Sequence, residues 1–116
     1  MLKKFFLAAV VGLIICAGVK VEAAEVYIGT APVTEYKCYV ITDTINHTYE
    51  DRMIIYSVTL KTVDRYGDNN FIDYKFYSID GDAENVQFVN SDGSKGIVDS
   101  YDTPIEWKMF MFVKDY

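Results

Sequence analysis

At 116 residues, the chain has room for one domain beside its leader. The hydrophobic fraction of 51% is inflated by the first twenty-odd residues, and the net charge of −6 excludes the basic face that nucleic acid or an anionic membrane requires. Beyond the first 23 residues one histidine and one cysteine remain, too few for a typical structural zinc site, and no cofactor is expected.

The N-terminus has the three parts of a secretory signal peptide. Met1-Leu-Lys-Lys4 is a short basic start, Phe5 to Gly18 is apolar, and Val21-Glu22-Ala23 is a small-residue exit. The apolar run is too short for a membrane-spanning helix. Leu13-Ile14-Ile15-Cys16 resembles a lipobox, but Ile15 stands where such signals carry Gly, Ala or Ser, so ordinary cleavage is favoured over lipidation at Cys16. The expected division is residues 1–23 as signal peptide and 24–116 as a single small exported domain: periplasmic, cell-surface or secreted, without an integral span after cleavage. Removing Lys3, Lys4, Lys20 and Glu22 takes the net charge to −8, which serves solubility. Only Cys38 then remains. It is expected to pack as a small apolar side chain, with a disulfide-linked dimer as the sharper alternative.

Strands follow in order. Glu25–Gly29 is a short one, stopped by Gly29 and Pro32. Tyr36–Thr42 is the second, with large residues on both faces. Asn46–Arg52 is polar and reads as a loop. Ile54, Tyr56, Val58 and Leu60 then alternate with Ile55, Ser57, Thr59 and Lys61, the period of two that marks a half-buried strand. Asp64–Asn70 has the Gly, Asp and Asn content of a hairpin tip. Phe71–Ile79 forms the answering strand, Asp80–Asn85 a turn, Val86–Val89 a short strand, Asn90–Gly96 a turn, and Ile97-Val98 a last strand.

The period then changes. Thr103-Pro-Ile-Glu106 has the form of a capping box with proline at the first helical position. Ile105, Met109, Phe112, Val113 and Tyr116 form an apolar stripe, against a strand alternative built on Trp107, Met109, Met111 and Val113. The expected fold is α+β: an antiparallel meander of about five to six strands with a C-terminal helix packed on one face.

Chemistry-bearing residues are sparse. His47 reads as an exposed loop histidine, with no G-x-S-x-G or other nucleophile motif beside it. Asp80, Asp82 and Glu84 form an acidic turn that could offer oxygens to calcium, but the spacing is not that of an EF-hand, and a solvated turn is the plainer reading. Asn46-His-Thr48 fits a glycosylation sequon, read as chance in a chain with a bacterial-looking leader. All ten tyrosines lie beyond the leader. Strand preference explains most of them, while Tyr39, Tyr77 and Trp107 are the candidates for a binding surface.

The run Cys38-Tyr-Val-Ile-Thr-Asp-Thr-Ile45, the strand Ile54 to Val63, Asp73-Tyr-Lys-Phe-Tyr77 and Thr103-Pro-Ile-Glu106 together resemble the small exported bacterial proteins grouped around surface adhesin protein E. This chain lacks that group's cysteine pair. The resemblance implies a sheet-based domain in the cell envelope that binds a protein or envelope component, and it transfers no functional residue. The expected function is therefore a non-enzymatic binding or adhesion module. The alternatives are a small carboxylate-dependent enzyme such as a hydrolase, or a structural, self-assembling envelope subunit.

Overall fold

A computed structural model describes residues 24–116; the expected signal peptide and Cys16 lie outside the described residues. Six strands form one antiparallel sheet in strict chain order: β1 (Glu25–Thr30), β2 (Lys37–Glu50), β3 (Met53–Val63), β4 (Asn69–Ile79), β5 (Gln87–Asn90) and β6 (Lys95–Ile97). One helix follows, α1 (Pro104–Val113), packed on one face. The α+β meander expected from the alternation is the fold.

Residues directly opposite each other in an antiparallel pair share a face, so the register sorts the whole sheet. β3 pairs with β4 from Met53↔Ile79 to Val63↔Asn69 without interruption. Its even-numbered residues Tyr56, Val58 and Leu60, with Tyr74, Phe76 and Phe88 from β4 and β5, meet Ile105, Met109, Phe110 and Val113 of the helix. Phe76 lies 5.8 Å from Phe110 between ring centroids, and Tyr56 meets Phe110 edge-on at 5.4 Å. These are favourable aromatic geometries in a fully desolvated layer. The stripe of α1 is turned slightly from the expected one: Phe110 is buried, Phe112 only partly so, and Tyr116 is exposed.

Asn46–Glu50 is strand, not loop. β2 runs straight through it and turns into β3 at Asp51-Arg52, with Asp51 at φ 54°. Such a two-residue turn needs a positive φ, which aspartate tolerates. The strand is interrupted earlier, where Ile41 pairs with Thr59 but Asn46 pairs with Ser57, leaving four residues of β2 beside one of β3. The Thr44 hydroxyl closes this wide bulge: it donates to the Ile41 carbonyl at 2.6 Å and accepts from the Thr59 amide at 2.8 Å. A side chain thus supplies the ladder bond the backbone has lost.

Asp64, Asn90 and Asp99 organise the turns by accepting backbone N–H groups two to four residues onward. Gly29 has a different role. It sits at φ 145° where α1 crosses β1, and a β-carbon there would lie 3.0 Å from Lys108 Nζ and 3.6 Å from Ile105 Cδ1. The backbone angle calls for glycine, and the helix packs at van der Waals distance beside it.

Candidate functional site

Two regions present side chains to an outside partner: the face of the sheet away from α1, and a cleft at the helix N-terminus.

On the uncovered face the register collects Tyr39, Ile41, Ile55, Lys61, Phe71, Tyr77, Ile79 and Val89. Towards β1 it is aromatic: Tyr27 and Tyr39 lie 5.5 Å apart, and Lys61 Nζ sits 5.5 Å over the Tyr39 ring while bonding Glu25 at 2.7 Å. Phe71 stands beside Lys61 in the register. At the other end Met53, Tyr77, Ile79 and Val89 line a shallow groove of about 280 Å³. Between these two ends, Thr44, Ser57, Thr59, Asp73 and Lys75 border a hydroxyl-rich hollow of about 520 Å³. Phe71 and Ile79 are more than half exposed. Tyr39 and Tyr77 therefore share one surface, while Trp107 is on α1 in the opposite layer.

The cleft, about 350 Å³, lies between the Ala31–Tyr36 loop, the ends of β3 and β4, and the start of α1. Its walls are mainly apolar; Cys38, Tyr74 and the hydroxyl residues Thr34, Tyr36, Thr62 and Thr103 line it too, and its carboxylates are Asp102 and Glu106. Tyr74, itself buried, donates its hydroxyl to Glu106 Oε2 at 2.7 Å. Burial, then the hydrogen bond to Glu106 and its charge, push the Tyr74 phenol well above its ordinary range. Burial likewise raises the Cys38 thiol, whose Sγ points to the Tyr36 carbonyl at 3.6 Å. A thiol held protonated is a poor nucleophile. At 2% exposure, Cys38 packs as the small apolar side chain expected of it, and a disulfide to a second chain would require this wall to open.

The capping box is not formed. The Thr103 hydroxyl donates to the Ile97 carbonyl and accepts from the Asp99 amide, and Glu106 turns to Tyr74 instead of back to the cap. The Thr-Pro start is right; its hydrogen bonds serve tertiary structure.

His47 is a half-buried strand residue, not an exposed loop one. Its ring packs on Tyr56 at 4.7 Å, and Nε2 meets the Val113 carbonyl at 3.1 Å at the far end of α1, about 15 Å from the cleft at 1.5 Å per residue. A carbonyl only accepts, so Nε2 carries the proton. Asn46 is an exposed residue of the same strand.

In the acidic turn, Asp80 is bound by Arg52, which holds its carboxyl below the usual range, and Asp82 accepts the Glu84 amide. Among the described residues no group of three or more His, Cys, Asp and Glu side chains is placed to hold a metal ion. Asp102 and Glu106 are the two carboxylates that line the cleft, the residue type the hydrolase alternative calls on. Asp102 is exposed and Glu106 is engaged by Tyr74, so the pair lacks a buried acid facing a free base. No helix among the described residues is long and apolar enough to cross a membrane.

Comparison with protein-family models, curated proteins and solved structures finds no match for the chain.

Proposed function

We propose that this chain is an exported, non-enzymatic binding module that engages a protein or envelope component through the uncovered face of its sheet. One observation carries the reading: α1 covers a single face, and the other gathers Tyr39, Tyr77, Phe71, Ile79 and Val89 from three strands onto one surface. Apolar and aromatic side chains held on rigid strands, with polar groups between them, supply contact area at low entropic cost. The leader-like N-terminus and the motif resemblance to the surface adhesin protein E group support an envelope or secreted location.

The test is co-sedimentation of the purified domain with bacterial envelope preparations. A Tyr39→Thr/Tyr77→Thr double variant should lose at least tenfold in retention, whereas Trp107→Ser, on the opposite layer, should retain it. Thermal melting monitors the fold of each. Equal retention by both variants, or none by the wild type, would overturn the proposal.

A further inference from the structure

We infer that the cleft at the start of α1 is a second binding site, distinct from the sheet face, that takes a small organic cation: a primary ammonium or guanidinium head on an apolar body. The cleft combines what small-ligand sites need, a concave apolar wall and a few fixed polar groups. Leu60, Ile72, Pro104 and Ile105 supply apolar lining. The Tyr74 hydroxyl is locked onto Glu106 Oε2, so the carboxylate is held in place before any ligand arrives. Among the described residues only Tyr74 bonds that carboxylate through a side chain, and no buried side-chain oxygen is left without a partner, so Oε1 is open to solvent, where a further donor can reach it.

Charge selects the occupant. The lining holds two carboxylates, Asp102 and Glu106, and no Lys, Arg or His. The helix N-terminus contributes roughly half a positive charge, which two carboxylates outweigh. An anion would meet this excess with no basic side chain to receive it, and a neutral apolar molecule would leave Glu106 Oε1 without a donor. An ammonium answers both. At about 350 Å³ the space is near the lower limit for ligand pockets, which suits a molecule on the order of ten non-hydrogen atoms.

The experiment is an NMR titration of the ¹⁵N-labelled domain with three probes of one shape: 2-phenylethylamine, 2-phenylethanol and phenylacetate. The amine is expected to bind at least tenfold more tightly than the alcohol, with phenylacetate weakest, and the shifted amides should cluster at Cys38, Tyr74 and Ile105. Glu106→Gln should remove most of the amine's advantage while leaving alcohol binding unchanged, and Asp102→Asn should reduce it two- to threefold. Amine and alcohol binding equally, no saturable shift with any probe, or shifts confined to the Tyr39–Tyr77 face would each overturn the inference. The wild-type series decides this even if a variant fails to fold.

Discussion

Side chains of the sheet reach both ends of α1, and the two contacts are built differently. At the C-terminal end His47 donates to the Val113 carbonyl, which also accepts from the Tyr116 amide, and its ring is packed edge-on against Tyr56. At the N-terminal end Tyr74 reaches Glu106 across a cleft with room beside it. The first contact is backed by aromatic packing on Tyr56. The second leaves a carboxylate oxygen and an apolar hollow available. Equivalent anchoring does not mean equivalent function, and what separates the two ends is the space next to each bond.

The largest expected effect comes from removing what both ends share. Phe110 lies in the middle of the helix, 1% exposed and touching Tyr56 and Phe76. Phe110→Ala should cost about 3–5 kcal/mol in urea unfolding, because the cavity lies under the whole helix. A loss below about 1 kcal/mol would mean that α1 is not the lid of this core.

His47→Ala separates the ends. It deletes the Val113 contact and the Tyr56 contact together, and should cost about 1–2 kcal/mol while leaving cleft binding untouched. Altered amine affinity in that variant would show the ends to be coupled.

The Tyr74 end is distinguished by pH. Its phenol is raised in the folded state, so the stability it contributes is complete below the unfolded tyrosine value of about 10 and is lost as pH climbs through the folded one. The urea midpoint should therefore fall above about pH 10, and Tyr74→Phe should flatten that fall. Tyr56, raised chiefly by burial, leaves a smaller decline in the variant. An unchanged alkaline slope in Tyr74→Phe would place the titration elsewhere.

The smallest effect is expected at the Arg52–Asp80 pair, which ties two exposed turns at the His47 side of the sheet. Solvent screens such pairs strongly. Asp80 is held low by Arg52, so any contribution is present at neutral pH and lost as pH falls through the folded value. Arg52→Ala should leave the neutral-pH melting temperature nearly unchanged, with any difference abolished by high salt.

Much of this architecture is legible in the residues. The alternation from Ile54 to Lys61 and its answer in β4 give the central hairpin, whereas the sharing of a face by Tyr39 and Tyr77 rests on the register, which a one-residue slip would reverse. The Thr-Pro start and the change of period give the helix. Asn46–Glu50 was illegible because this part of β2 pairs with β3 alone, beyond the end of β1, and is mostly exposed, so it carries no apolar alternation. Its turn, Asp51-Arg52, also lacks a glycine to announce it. The cleft was hidden for another reason: Tyr74 and Glu106 are 32 positions apart, and a capping motif offered Glu106 a nearer partner than the one it takes.

The strand order has a consequence for how the chain assembles. Each strand pairs with its sequence neighbour, so the sheet can zip up hairpin by hairpin with short loops to close. α1 is the exception: the last element lies against β1 and β2, the first two. Closing that span is entropically the most costly step, because it joins the elements farthest apart in sequence among the described residues. The helix is in effect a latch between the first and last described elements, and it supplies the layer that shields one face of the ladder from water.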